Sequence, residues 1–185
     1  MVDQREAAQP NAGMEATEVL DLYKLLTKEG IAVWVDGGWG VDALLGEQTR
    51  PHADLDIAVR HEDVERLREL LADRSYIQVE RSDTSPWNFV LRDNRGHDVD
   101  VHTFTLDDEG HNVYGIAYPA ESLSGSGTIN GRSVNCIALQ SVVQFHENYE
   151  PDEDDIKDMV ALHDRFGIDL PARYHRHQLQ EIQWR

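Results

Sequence analysis

Two short segments constrain this chain more than any other. Residues 31–35 (IAVWV) form an apolar, β-branched run that enters Asp36-Gly37-Gly38-Trp39-Gly40. Such a run favours a buried strand, and the glycines mark a tight turn. Residues 41–45 then suggest a short helix that closes at Gly46. The second segment is Arg50-Pro51-His52-Ala53-Asp54-Leu55-Asp56, where residues 55–59 (LDIAV) read as another strand. Asp54 and Asp56 stand two residues apart. Both therefore leave the same side of that strand, with their backbones about 6.5–7 Å apart. Leu55, Ile57 and Val59 take the opposite side, which a solvated acidic strand would not need.

The rest of the chain supplies a frame for these segments. Ala16–Lys28 carries an apolar stripe of Val19, Leu22, Tyr23 and Leu26 and stops at Gly30, the pattern of an amphipathic helix. Residues 62–72 repeat the pattern with Val64, Leu67 and Leu71. Strands are expected at 76–80 and 87–92, a turn at 93–96 and a partner strand at 97–104. In that last strand Val99 and Val101 point one way, and Asp98, Asp100 and His102 the other. Residues 105–126 are polar and Gly-rich, consistent with loops and short strand pieces. Asn130-Gly131 marks a hairpin between residues 128–129 and 132–137. Helices follow at 139–149 and Glu153–Phe166, with Gly167 as a stop and Pro171 opening a last amphipathic helix. The order gives an α+β class: a small mixed β-sheet flanked by helices, with a C-terminal helical lobe. The expected division is a disordered lead-in at 1–14, a sheet domain at 15–138 and a helical lobe at 139–185.

The chain has 185 residues, a single cysteine and a net charge of −18. One cysteine excludes a disulfide framework within the chain and fits a reducing compartment. The polar start lacks the apolar stretch of a signal peptide, and no apolar run approaches the roughly 20 residues that span a bilayer. A cytoplasmic location without membrane attachment is therefore expected. The acidic balance disfavours nucleic acid and anionic lipid as partners and favours cationic ones, although it also serves solubility.

The chemistry-bearing residues form one set. A strand that runs through paired glycines into a helix leaves backbone N–H groups unobstructed, which suits phosphate oxygens. The carboxylates of Asp54 and Asp56 converge well on Mg²⁺, a cation that takes a few carboxylates and fills the rest with water and phosphate. A third acid on a neighbouring strand would complete a site for two ions; Asp100 is the candidate and Asp98 the fallback. These parts fit nucleotidyl transfer, in which a hydroxyl attacks the α-phosphorus of an NTP and pyrophosphate leaves. Asp100 is also the candidate base for the hydroxyl proton, and Arg50 the candidate for neutralising the β/γ-phosphates.

The run Trp34-Val35-Asp36-Gly37-Gly38-Trp39-Gly40-Val41-Asp42, followed by Arg50-x-His52-x-Asp54-x-Asp56, resembles the lincosamide nucleotidyltransferases. It is similar, less closely, to the aminoglycoside 2″-nucleotidyltransferases; both belong to the DNA polymerase β-like nucleotidyltransferase superfamily. Asp100-Val101-His102, the 132–137 hairpin, Phe145-His146 and Asp155-Ile156-Lys157 extend the likeness over roughly residues 15–166. The resemblance implies Mg²⁺ (two ions) on Asp54, Asp56 and Asp100. It implies an NTP, with ATP the expected donor, held by Gly37, Gly38, Arg50 and Lys157, and transfer of AMP to a hydroxyl of a small-molecule antibiotic. The alternative keeps the site and changes the acceptor to tRNA or protein, as in a toxin-like enzyme. The acceptor, the NTP base and the choice between monomer and homodimer stay open. His52 is either a neighbour of the carboxylates and phosphates or a structural turn residue. Trp39 and Trp87 are candidates to line the cleft, Trp34 a core residue, and Cys136 a buried small hydrophobe. His175 and His177 fall outside the resemblance. Glu80, Asp83, Glu121, Glu147 and Glu150 are candidates for an acidic acceptor pocket.

Overall fold

The structure is a computed structural model that describes residues 13–147 and 149–174. Helix α1 (Ala16–Lys28) opens with a reciprocal cap between Glu15 and Glu18 and buries Val19, Leu22 and Leu26. Strand β1 (Val33–Val35) passes directly into α2 (Gly37–Leu45), and β2 (Asp54–Arg60) follows. A 3₁₀ turn at His61–Asp63 leads to α3 (Val64–Ala72). Four strands come next: β3 (Ile77–Val79), β4 (Asn88–Arg92), β5 (Asp98–Leu106) and β6 (Asn112–Gly115). After a 3₁₀ turn at Ala120–Ser124, β7 (Gly125–Ile129) and β8 (Arg132–Cys136) form the Asn130-Gly131 hairpin. Helices α4 (Leu139–Phe145) and α5 (Glu153–Phe166) finish the frame. Residues 172–174 are helical, and the remainder of the helix expected after Pro171 lies outside the described residues.

The strands join one mixed sheet in the order β3-β4-β5-β2-β1-β8-β7, with β6 pairing β5 beyond the end of β4. β2 runs parallel to β5 and β1 parallel to β8, while the other pairs are antiparallel. Alternation gives the sheet two differently covered faces. Leu55, Ile57 and Val59 of β2 and Val99 and Val101 of β5 share one buried cluster with α1 and with Leu67 and Leu71 of α3. Ala58 and Phe104 belong to a second cluster with Val142 of α4 and Met159 and Leu162 of α5. The C-terminal helices thus share a core with the sheet. Among the described residues no helix is long and apolar enough to cross a membrane.

Several expected boundaries move. Helix α2 starts at Gly37, not Val41, because Asp36 caps it: its carboxylate accepts the Gly37 N–H at 2.9 Å, and its carbonyl accepts the Gly40 N–H at 2.8 Å. Three glycines in a first turn read as a helix-breaking signal, each about 1 kcal/mol worse than alanine. Here they allow close approach: a Cβ on Gly40 would lie 2.9 Å from the Val35 carbonyl oxygen. The strand pieces expected within 105–126 resolve as β6, the start of β7 and the two-residue extension of β5. The helix expected at 139–149 ends at Phe145. Met14, assigned by sequence to the lead-in, is buried, and its N–H bonds the His52 carbonyl at 3.1 Å.

Gly127 shows how closely the layers meet, since a Cβ there would lie 2.1 Å from the Ala43 carbonyl oxygen of α2. Backbone cannot yield as a side-chain tip can. Gly127→Ala should therefore cost about 1–3 kcal/mol by overpacking, lowering the melting temperature by about 2–4 °C per kcal/mol in a chain of this size. An unchanged melting temperature would show that the helix and strand have slack between them.

Candidate active site

The parallel pairing of β2 and β5 sets Asp54 opposite Asp98 and Asp56 opposite Asp100. Since Leu55, Ile57, Val99 and Val101 bury the other face, all four acids rise on one side of the sheet. Asp36, at the end of β1, joins them: its N–H bonds the Asp56 carbonyl at 2.9 Å. The start of α2 then lies against the acids. Gly37 has φ +54°, and a Cβ there would fall 2.1 Å from Asp56 Oδ2. A Cβ on Gly38 would lie 2.3 Å from His52 Nδ1 and 2.7 Å from Arg50 Nη2. Gly37 is held to glycine by its positive φ as well as by space, and a side chain at Gly38 would have to displace His52 and Arg50, which Asp42 and Asp158 fix. The N–H groups of Gly38 and Trp39 precede the first intrahelical bond, that of Gly40, so they open towards this side of the helix start. A cleft of about 650 Å³ is lined by Gly37, Gly38, Arg50, Asp54 and Asp56, with Asp154 on its far wall. A second cavity of about 550 Å³ lies beyond Asp36 and His102 and is walled by Ile116, Tyr118 and Phe145.

The electrostatics are those of acids gathered without enough positive charge. Burial, then Asp54 beside it, pushes the Asp56 carboxyl up to about 7. Burial also raises Asp54 and Asp100 above the usual carboxylate range. Asp100 Oδ1 is buried and makes no hydrogen bond among the described residues. His102 moves the other way. Burial opposes its charge, but Asp36, Asp56 and Asp100 outweigh it and raise the imidazole to about 9. Burial likewise opposes ionisation of Asp36, yet His102, the Tyr118 hydroxyl and the Gly37 N–H hold it below the usual range. Asp56, Asp100 and His102 each offer a ligand atom within 4.8 Å of the other two. Crowded carboxylates with raised pKa, one of them holding a buried unpaired oxygen, suit a divalent cation.

Arg50 reaches the cleft under restraint. Asp158 of α5 accepts its Nε and Nη2 at 2.9 and 2.7 Å, and Asp154 stands 3.4 Å from Nη1. His52 is buried and fixed at Nε2 by Asp42; the other Asp42 oxygen accepts the Thr49 N–H and hydroxyl at 3.0 and 2.7 Å. The His52 ring also packs on Trp39 at 4.7 Å. These contacts fasten residues 49–52 to α2, so His52 has a structural task at the edge of the cleft. Lys157 is exposed on α5, 2.8 Å from Asp154 Oδ1, while Asp154 Oδ2 faces Arg50. It therefore sits at the rim, one carboxylate away from Arg50.

The fallback Asp98 is a different kind of residue. It is fully buried and clamped by Arg92 at 2.5 and 2.7 Å and by Arg81 at 2.8 Å, so its charge is already answered by guanidinium groups. Trp39 is 1 % exposed and belongs to the core instead of lining the cleft. Trp87 stands beside Tyr114 in an exposed edge-to-face pair. Trp34 donates its indole N–H to the Leu123 carbonyl at 2.6 Å and meets Phe104 edge-on. Cys136 is buried, and burial pushes its thiol up to about 12, which leaves it inert. His175 and His177 lie outside the described residues. The acids on the cleft wall are Asp152, Asp154 and Asp155, none of which belongs to the set expected for an acceptor pocket. Asp36, Asp42, Tyr118 and Asp158 also escaped sequence reasoning. Asp36 had a legible signal, an N-cap residue before a helix, and Tyr118 had none.

The chain matches the family described as aminoglycoside-2″-adenylyltransferase over residues 18–162. It is 31% identical over 153 residues to a lincosamide resistance protein of Staphylococcus haemolyticus, covering 78% of this chain and 91% of that one. A 2″-aminoglycoside nucleotidyltransferase of Escherichia coli is 25% identical over 136 residues, covering 70% and 73%. Among solved structures, a lincosamide antibiotic adenylyltransferase with lincomycin bound has the same fold, with a TM-score of 0.71 at 24% identity over 81% of this chain and 97% of that one. So does ANT(2″)-Ia in complex with adenylyl-2″-tobramycin, with a TM-score of 0.68 at 20% identity over 80% and 87%. The chain is therefore a nucleotidyltransferase and belongs to the aminoglycoside-2″-adenylyltransferase family.

Proposed function

We propose that the chain transfers AMP from ATP to a hydroxyl of a small antibiotic, of the lincosamide or aminoglycoside type, and releases pyrophosphate. The observation that carries this reading is the Asp56–Asp100 pair, in register on adjacent parallel strands and pressed against the side-chain-free start of α2. That arrangement brings cation ligands and phosphate donors to one place. Asp54, Asp56 and Asp100 would hold two Mg²⁺ ions, which when bound compensate the triphosphate charge and lower the pKa of the attacking hydroxyl. The N–H groups of Gly38 and Trp39 point phosphate oxygens at the positive end of the helix dipole. Arg50, pre-set by Asp158, counters charge on the leaving pyrophosphate, and Lys157 adds a second cation at the rim. The hydroxyl oxygen attacks the α-phosphorus, the α–β bond breaks, and Asp100 takes the hydroxyl proton.

The acceptor class rests on the relatives: one is named for lincosamide resistance, and two solved neighbours hold lincomycin and an adenylylated tobramycin. The net charge of −18 and the acids Asp152, Asp154 and Asp155 on the cleft wall favour a cationic drug over a polyanionic RNA. The single buried cysteine fits a reducing, cytoplasmic setting.

The test is incubation with each NTP, Mg²⁺ and panels of lincosamides and aminoglycosides, with mass detection of the nucleotide–drug adduct. ATP should give the adduct, and Asp54→Asn or Asp56→Asn should lower its rate by about a hundredfold or more. No adduct across both panels would remove the antibiotic assignment. Asp98→Ala should act differently, because it strands Arg92 and Arg81. A fully buried pair broken in this way loses about 3–5 kcal/mol, and less here since both arginines keep contact with water. Its signature is a lowered melting temperature, and since the released Arg81 already stands 3.9 Å from Asp100, any fall in rate should stay well below that of Asp54→Asn or Asp56→Asn.

The raised pKa of Asp56 also fixes a pH dependence. Its folded value of about 7 exceeds the ordinary 3.8, so the metal-free protein binds the proton more tightly when folded and loses stability as pH rises between those values. A divalent ion must displace that proton. The Mg²⁺-induced rise in melting temperature should therefore be small near pH 5 and grow towards pH 8, and Asp56→Asn should flatten that trend. A Mg²⁺ effect equal at both pH values would place the ion elsewhere.

A further inference from the structure

His102 completes the acidic face of β5 in a way that three carboxylates do not require. It follows Asp100 by two residues and pairs across β2 with Ala58, whose small side chain leaves room beside Asp56. The two ring nitrogens have different surroundings. Nδ1 stands 3.2 Å from the Tyr118 hydroxyl oxygen, and that hydroxyl donates to Asp36 Oδ2 at 2.5 Å. The other Asp36 oxygen is already occupied by the Gly37 N–H. Hydrogen-bond direction then runs one way: Nδ1–H to Tyr118, Tyr118 to Asp36. A divalent ion that displaces the Nε2 proton leaves Nδ1–H on Tyr118 and takes the Nε2 lone pair. Nε2 faces Asp100 Oδ1 at 3.6 Å, too far for a hydrogen bond, and Asp100 Oδ1 is the buried oxygen with no hydrogen bond. Ligand atoms on an ion with bonds of about 2.1 Å stand about 3.0 Å apart when adjacent and about 4.2 Å apart when opposed. The observed gap of 3.6 Å is about 0.6 Å wider than the adjacent separation, a shift within reach of a side-chain rotation on ion binding.

We propose that His102 Nε2 is a direct ligand of the divalent ion held by Asp56 and Asp100, and that Tyr118 and Asp36 are positioning residues that fix its tautomer and ring. This rests on the metal-dependent reading above and adds to it a nitrogen donor. An orienting chain behind a metal-bound histidine is a common support for such ligands. The chemical consequence is a mixed nitrogen–oxygen site. Imidazole suits transition-row divalent ions, whereas an all-oxygen set suits Mg²⁺. The site should therefore accept Mn²⁺ or Co²⁺ in preference to Mg²⁺.

The experiment loads the full chain with Mn²⁺, without nucleotide or drug, and reads the electron spin echo modulation for directly bound ¹⁴N. The wild type should show nitrogen coupling that becomes ¹⁵N coupling on growth with ¹⁵N-histidine, a readout that needs no variant. The coupling should vanish in His102→Gln and persist in His52→Gln. Asp36→Asn, which keeps an N-cap residue, and Tyr118→Phe should retain the coupling but weaken Mn²⁺ binding about 10–100-fold. In His102→Gln the Mn²⁺ over Mg²⁺ affinity ratio should drop by about tenfold. Mn²⁺ bound with oxygen-only coupling in the wild type overturns the proposal and leaves the carboxylate site standing. Coupling that survives in His102→Gln also overturns it. Absence of Mn²⁺ binding in the wild type would take down the metal site and this ligand together.

Discussion

The in-register parallel pairing of β2 with β5 is the constraint on which the rest depends. It is imposed from below, by apolar side chains that have to enter the cluster shared with α1 and α3. A slip of one residue would send Leu55 and Ile57 to the polar side and the acids into the core. The fold therefore holds several like charges together at the expense of their own preference for water, and the burial that raises the Asp56 pKa is the visible result. The hydrophobic face supplies the positional energy, and the polar face receives its geometry without having to stabilise itself.

Neighbouring residues divide the acids by role. Asp98 and Asp54 lie opposite each other, yet Asp98 is enclosed by two guanidinium groups while Asp54 is left with only distant cations. Asp36 serves the backbone by capping α2 and the site by receiving the Tyr118 hydroxyl. Asp42 fastens the segment before β2 to α2 through Thr49 and His52. Asp56 crowds the space beside Gly37, His52 and Arg50 that beside Gly38, and the Val35 carbonyl that beside Gly40.

Much of this frame was legible in the sequence because it follows local periodicity. The spacing in Ala16–Lys28 and Glu153–Phe166 matches both helices, and alternation around Asp100 identified the face that carries it. Asn130-Gly131 located its hairpin by turn chemistry alone. The failures share a cause. Gly37 and Gly38 read as a turn, but each is small because another segment comes close, as is Gly127, and no single window of sequence carries that information. Asp98 and Asp100 share a face and a strand, and what tells them apart is that Arg92 and Arg81 both hydrogen-bond Asp98, whereas Asp100 has only Arg81, at 3.9 Å. Tyr118 reaches Asp36 from a loop 82 residues away.

The guanidinium of Arg50 has a further consequence, for the order in which the molecule becomes competent. It is gripped by Asp158, 108 residues later in the chain, and is steadied again by Asp154. The strands that array the acids are complete well before α5 has been made. A growing polypeptide thus has its negative charges assembled while the Arg50 arm swings loose, and that arm is set only when α5 docks.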